Sequence, residues 1–166
     1  MRFFKLIFMM ALLATIAACS PPSKFRTYDG PEVTRIWVYK ERREMFLMHN
    51  DTILKKYDFD LGFAPIGDKK IEGDGKTPEG NYLIDRRNPN SRFHLSIGIN
   101  YPNAEDRLEA FKLGEKPGGD IFIHGRGPNF KSPEADWTWG CIAVTDREME
   151  EIYAMVPNGT PITILP

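Results

Sequence analysis

Residues 44–59 read Glu44-Met45-Phe46-Leu47-Met48-His49-Asn50-Asp51-Thr52-Ile53-Leu54-Lys55-Lys56-Tyr57-Asp58-Phe59. Two apolar stretches of strand length flank Asn50-Asp51, a pair suited to a tight turn, so the segment predicts a β-hairpin. Upstream, Val33-Thr34-Arg35-Ile36-Trp37-Val38-Tyr39 is β-branched and aromatic with partial alternation, and predicts the preceding strand. Residues 81–85, 93–99, 120–124 and 161–165 read as further strands, and residues 62–80, dense in Gly, Pro and charge, as a loop. Residues 104–112 have helical character, with Gly114 as the stop. A second helix is expected to begin at Asp146 as N-cap. Glu148 and Glu150 lie in its first turns, Met149, Ile152, Tyr153 and Val156 share one face, and Pro157-Asn158-Gly159 ends it. The expectation is a mainly β fold, a β-sandwich or open barrel with a few peripheral helices.

The chain opens with Arg2 and Lys5 and continues in an apolar run over residues 6–18, broken only by Thr15. That run is too short for an ordinary membrane-spanning helix and suits the core of an export signal. It ends in Ile16-Ala17-Ala18-Cys19, which resembles the bacterial lipobox, in which the Cys is lipidated and becomes the first mature residue. The competing reading is an ordinary cleaved signal with a coincidental Cys. Residue 20 is Ser rather than Asp, which by that resemblance favours the outer membrane. The expected division is a lipoprotein signal at 1–18, a lipidated Cys19 with a proline-stiffened tether at 19–32, and a single domain at 33–166. The expected location is the periplasm, lipid-anchored. With 22 Lys and Arg against 23 Asp and Glu, no basic block argues for nucleic acid.

If Cys19 is used at the N-terminus, Cys141 is the only thiol left, and it has no disulfide partner in its own chain. It lies in Thr138-Trp139-Gly140-Cys141-Ile142, 17 residues after His124. A free Cys is most often a buried packing residue. A nearby imidazole would make it a nucleophile by taking its proton. His124 ends a predicted apolar strand, and Gly125 and Gly140 would let substrate approach closely. Backbone N–H groups near Gly140 and Cys141 are candidate oxyanion donors. The catalytic reading predicts rapid alkylation of Cys141 near neutral pH.

His124-Gly125 followed by Thr138-x-Gly140-Cys141-Ile142 resembles the L,D-transpeptidase catalytic domain of the YkuD type. Gly75-Lys76-Thr77-Pro78-Glu79-Gly80-Asn81-Tyr82 resembles that family's Thr-Pro-x-Gly-x-aromatic segment. Two positions depart from the common pattern. Trp139 stands where many members carry His, and Ala143 where many carry Arg or Asn. The sequence looks more like the divergent branch related to YafK, which includes an enzyme that removes a lipoprotein from peptidoglycan. The resemblance implies a mainly β catalytic domain without metal or cofactor, acting on peptidoglycan stem peptides. In it, Cys141 would attack the diaminopimelate carbonyl of a tetrapeptide stem and expel D-Ala. The thioester would pass to an amine as a transpeptidase or to water as a hydrolase, which could also free a wall-attached protein. A non-catalytic wall-binding lipoprotein is the remaining reading.

Arg126 could hold a substrate carboxylate or be a solvated loop residue. Trp137 and Trp139 could contact substrate or pack at a rim. Thr138, in the Cys motif, is a further candidate substrate contact, Asp136 could orient His124 but reads better as a turn residue, and His49 and His94 read as ordinary sheet residues. Lys70 stands where a phosphate loop needs its leading Gly, Asp68-Lys69-Lys70 lacks calcium-loop ligands, and no HExxH occurs.

Overall fold

The structure is a computed structural model and describes residues 23–128 and 134–166, so the leader and Cys19 lie outside the described residues. Strand β1 (Arg35–Tyr39) alternates so that Ile36 and Val38 point into the core. It pairs antiparallel with β2 (Glu44–His49), which forms the predicted hairpin with β3 (Thr52–Asp58). Asn50 takes a left-handed φ of 51° in the turn, a conformation Asn tolerates better than most residues. The remaining strands are β4 (Gly80–Asn88), β5 (Ser96–Ile99), β6 (Phe122–His124), β7 (Ile142–Ala143) and β8 (Pro161–Leu165). The helices are α1 (Ala104–Lys112) and α2 (Asp146–Met155). Among the described residues the fold is mainly β, a curled eight-stranded sheet in the order β3-β2-β1-β8-β4-β5-β6-β7.

Strand β4 is the hinge of the curl. Its first half pairs with β8 and its second half with β5. Between them lies a bulge, since Ile84 faces Ile99 and Arg86 faces Gly98. At the far edges the sheet closes on itself. Asp60, just past β3, exchanges two backbone hydrogen bonds with Ala143 of β7, at 2.8 and 2.9 Å. Phe63 N–H donates to Thr138 C=O and Thr138 N–H to Leu61 C=O, at 2.9 and 3.1 Å. This seam meets edges that would otherwise be left unpaired.

Three readings need correction. The N-cap of α2 is Thr145, whose hydroxyl accepts from Glu148 N–H in a capping box, and Asp146 is the first helical residue. Its carboxylate is engaged elsewhere, as described below. The strand read at 93–99 begins only at Ser96. His94 takes φ 75° outside the sheet and bonds Glu150 at 3.0 Å, because the turn there overrides the local strand preference. The two-residue β7 carries too little pattern to be seen locally.

The long loop before β4 is stapled from within. The buried Lys40 ammonium donates to the Gly67 and Thr77 carbonyls at 2.6 and 3.0 Å and to Glu79 at 2.8 Å. Asp74 accepts from the Lys70, Ile71 and Lys76 amides and from the buried Lys69 ammonium. Replacing Lys40 with Met would leave two carbonyls and a partly buried carboxylate without their donor. Lys40→Met is expected to cost roughly 3 kcal/mol, the low end for breaking a buried ion pair. Urea unfolding measures it, and a loss below about 1 kcal/mol would mean that solvent reaches these groups freely.

Candidate active site

Strands β6 and β7 run parallel, with Ile123 opposite Ile142 and His124 opposite Ala143. Ile123 and Ile142 are fully buried in the core. Cys141, immediately before β7, therefore falls opposite Phe122 and shares with His124 the face turned away from Ile123. With strands about 4.8 Å apart and a rise of about 3.3 Å per residue, the two Cα atoms are on the order of 8 Å apart. The sheet thus brings together the two residues that sequence nominated.

His124 is 3% exposed and packed among rings. Phe93 stacks on the imidazole with centroids 4.4 Å apart, and Trp137 meets it edge-on at 5.7 Å. Nδ1 lies 2.6 Å from the Gly125 carbonyl oxygen, so Nδ1–H donates and the lone pair falls on Nε2. Burial lowers the imidazole pKa and so favours the neutral ring, while the Gly125 hydrogen bond opposes it.

The thiol is partly exposed and donates to the Asp120 carbonyl at 3.4 Å, rather than to the imidazole. Burial pushes its pKa up to about 11, against lesser lowering by the Phe122 amide, Lys69 and Arg86. The resting pair is therefore a neutral thiol beside a neutral imidazole. This differs from the thiolate that rapid alkylation near neutral pH would need, and burial is the reason.

The Cys motif is held by its own backbone. The Thr138 hydroxyl donates to the Cys141 carbonyl at 2.7 Å and accepts from Gly140 N–H at 3.2 Å. Of the two amides nominated as oxyanion donors, that of Gly140 is thus committed to the turn. Gly140 takes φ 122°, and a Cβ there would meet the Lys76 carbonyl at 2.5 Å, so only glycine fits. Trp139, two residues before Cys141, is 72% exposed and meets Phe63 edge-on at 5.0 Å. Arg126 is ion-paired with Asp60 across the seam. Asp136 does not touch His124; it grips Arg43 at 2.6 Å and accepts from Leu61 N–H at 2.9 Å. Among the described residues no three His, Cys, Asp or Glu side chains cluster as metal ligands.

Asp146 was missed as a site residue. Its Oδ1 accepts from the Arg126 and Gly127 amides at 2.7 and 2.8 Å, clamping the loop after His124. A Cβ on Gly125 would meet that oxygen at 2.5 Å, so the clamp requires glycine there. The His-Gly pairing was the visible half of this contact; the acid that needs it lies far later in the sequence, at Asp146, and reads as a cap.

The L,D-transpeptidase catalytic domain family (YkuD) matches residues 33–164. Over 155 residues the chain is 28% identical to an Escherichia coli K12 protein named "Putative L,D-transpeptidase YafK". That match covers 89% of this chain and 57% of the relative, so the chain spans little more than half its length. The helical cell shape determining protein Pgp2 from Campylobacter jejuni has a similar structure, with a TM-score of 0.63 at 25% identity. It is matched over 87% of this chain and 51% of that one. The C442S mutant of an Enterococcus faecium L,D-transpeptidase shares the fold, with a TM-score of 0.54 at 18% identity over 81% and 50% of the two chains.

With a thiol pKa near 11, the rate of Cys141 alkylation by iodoacetamide should rise about tenfold per pH unit from pH 7 to about pH 10. Mass spectrometry of the quenched protein follows the rate. A plateau below about pH 8 would show instead that the thiolate is already formed at rest.

Proposed function

The chain belongs to the L,D-transpeptidase catalytic domain family, and on that premise we propose that it is a cell-wall acyltransferase acting on peptidoglycan stem peptides. Cys141 is the nucleophile and His124 the base. The observation that carries this reading is their placement on one sheet face, with the His124 Nδ1–H tied to the Gly125 carbonyl. That bond leaves Nε2 as the proton acceptor.

A substrate carbonyl entering beside Asp120 displaces the thiol from its resting hydrogen bond. The Sγ–H turns to Nε2, and its proton passes to His124 as sulfur bonds to the carbonyl carbon of the diaminopimelate L-centre. The imidazolium then protonates the D-Ala nitrogen as the amide breaks, leaving a thioester. An amine from a second stem attacks the thioester, gives a proton to Nε2, and the thiol is released with that proton. Proton removal during attack suits a thiol whose resting pKa is raised, because no free thiolate has to accumulate. The Cys141 amide is the oxyanion donor we favour, since Thr138 holds that of Gly140. Trp139 and Phe63 would wall the stem or glycan on one side.

Water in place of the second amine gives the hydrolase. Ala143 supports that outcome: it is buried in the seam and offers an amine acceptor no polar side chain. We also propose that Cys19 carries lipid, that residues 19–32 tether the domain, and that it faces the wall from the outer membrane. A wall-attached protein is then a second substrate class, and a role in cell shape, named for the Campylobacter relative, a further extension.

Purified protein incubated with muropeptides, with Cys141→Ala in parallel, tests the reaction by mass spectrometry. New dimers that vanish in the variant are the expected product. Loss of D-Ala without dimers, again dependent on Cys141, would make the enzyme a hydrolase. Identical masses from both proteins, on free stems and on intact sacculi, would remove acyl transfer altogether.

A further inference from the structure

One row of residues crosses the sheet to the thiol. Arg86 on β4 faces Gly98 on β5, Gly98 faces Phe122 on β6, and Phe122 falls opposite Cys141. Unbroken alternation from Tyr82 and Ile84, both buried, would carry Arg86 into the core. The bulge between Ile84 and Arg86 reverses the phase and brings Arg86 out on the face of Cys141. Gly98 makes room for it, since a Cβ there would meet the Arg86 Cγ at 2.5 Å. The guanidinium then lies over the Phe122 ring, 4.4 Å from its centroid. The charge is close enough to the thiol to lower its pKa.

The guanidinium keeps a usable edge. Nη1 is held by the neighbouring Asp85 at 2.8 and 2.9 Å. Nη2 is only loosely opposed, 3.5 Å from an Asp120 carboxylate whose side chain is 94% exposed. A solvated pair at that distance is easily exchanged for another partner. Asp120 is itself tied to the nucleophile, because its carbonyl accepts the Cys141 thiol proton. Its φ of 56° is a left-handed conformation that Asp tolerates better than most residues. A cation edge and an anion thus stand side by side at the mouth of the thiol.

We propose that Arg86 and Asp120 form a subsite for a zwitterionic amino-acid terminus, the carboxylate binding Arg86 and the ammonium binding Asp120. Resting on the reading above, this assigns the residues that recognise the far end of the acyl donor's side chain. The diaminopimelate side chain runs from the attacked L-centre through a short methylene chain to a D-centre bearing both groups. A lysine stem carries the ammonium there but not the carboxylate, so Arg86 is the specificity-determining residue.

The test is calorimetric titration of the Cys141→Ala protein with two synthetic tetrapeptides, identical except for meso-diaminopimelate or L-lysine at the third position. The diaminopimelate peptide should bind about tenfold more tightly or better, the effect of one charge-assisted contact. Arg86→Gln in the same background should erase the preference and Arg86→Lys restore part of it, with thermal melting as the check on folding. Should either Arg86 variant fail to fold, the peptide pair on Cys141→Ala alone and the Asp120→Asn protein still decide. Equal affinities, no binding of either peptide, or a preference that survives Arg86→Gln would overturn the subsite. Turnover by the unmodified protein is measured in parallel. Selective binding without turnover removes the acyl-transfer reading and keeps the subsite; turnover without selectivity does the reverse.

Discussion

The closure of the curled sheet between residues 60–63 and 138–143 is the constraint on which the site depends. Backbone hydrogen bonds across that seam hold Thr138, Ala143 and hence Cys141 against the segment after β3. Packing there is so close that Gly62 could not carry a Cβ, which would fall 2.0 Å from the Gly75 carbonyl oxygen. Lys40, Asp74 and Lys69 pull the intervening loop inward so that Lys76 reaches Gly140. Without this, two residues of β7 would be too few to place a nucleophile, since a short edge pairing frays readily.

The electrostatic character of the site follows from that enclosure. Burial disfavours both the thiolate and the imidazolium, so the resting pair is uncharged. Lys69 and Arg86 oppose the effect on the thiol without overturning it. In the proposed reaction the charge pair would arise only while a substrate carbonyl is present to receive the sulfur. A thiol in this state is a poor nucleophile towards small reagents and a directed one towards an acyl group held in place.

Local signals were legible where they were strong. The hairpin over residues 44–59, the helix Ala104–Lys112 and the strand Pro161–Leu165 follow from turn chemistry and apolar periodicity alone. His124 and Cys141 stood out because few residue types do acyl transfer and both were flanked by glycine. What stayed hidden was tertiary. β7 exists because Asp60 and His124 flank it. Asp146 reads as a cap because cap and clamp use the same carboxylate chemistry, and the helix already had Thr145. Arg86 reads as one more charge on a strand, because a single bulge reverses its face and no residue near Asp85 announces one.

The seam has a consequence for how the molecule is made. Its partners are about 80 residues apart in sequence, and β1 must also find β8, which lies far along the chain beyond both helices. Such non-local pairings incur their loop-closure entropy before they return any contact energy, which slows folding. During synthesis, His124 and Cys141 would both have emerged while β8, the strand joining β1 to β4, was still missing. The nascent chain therefore holds both reactive groups before it holds their geometry. The juxtaposition of His124 and Cys141 arrives as a property of the closed sheet, late and all at once.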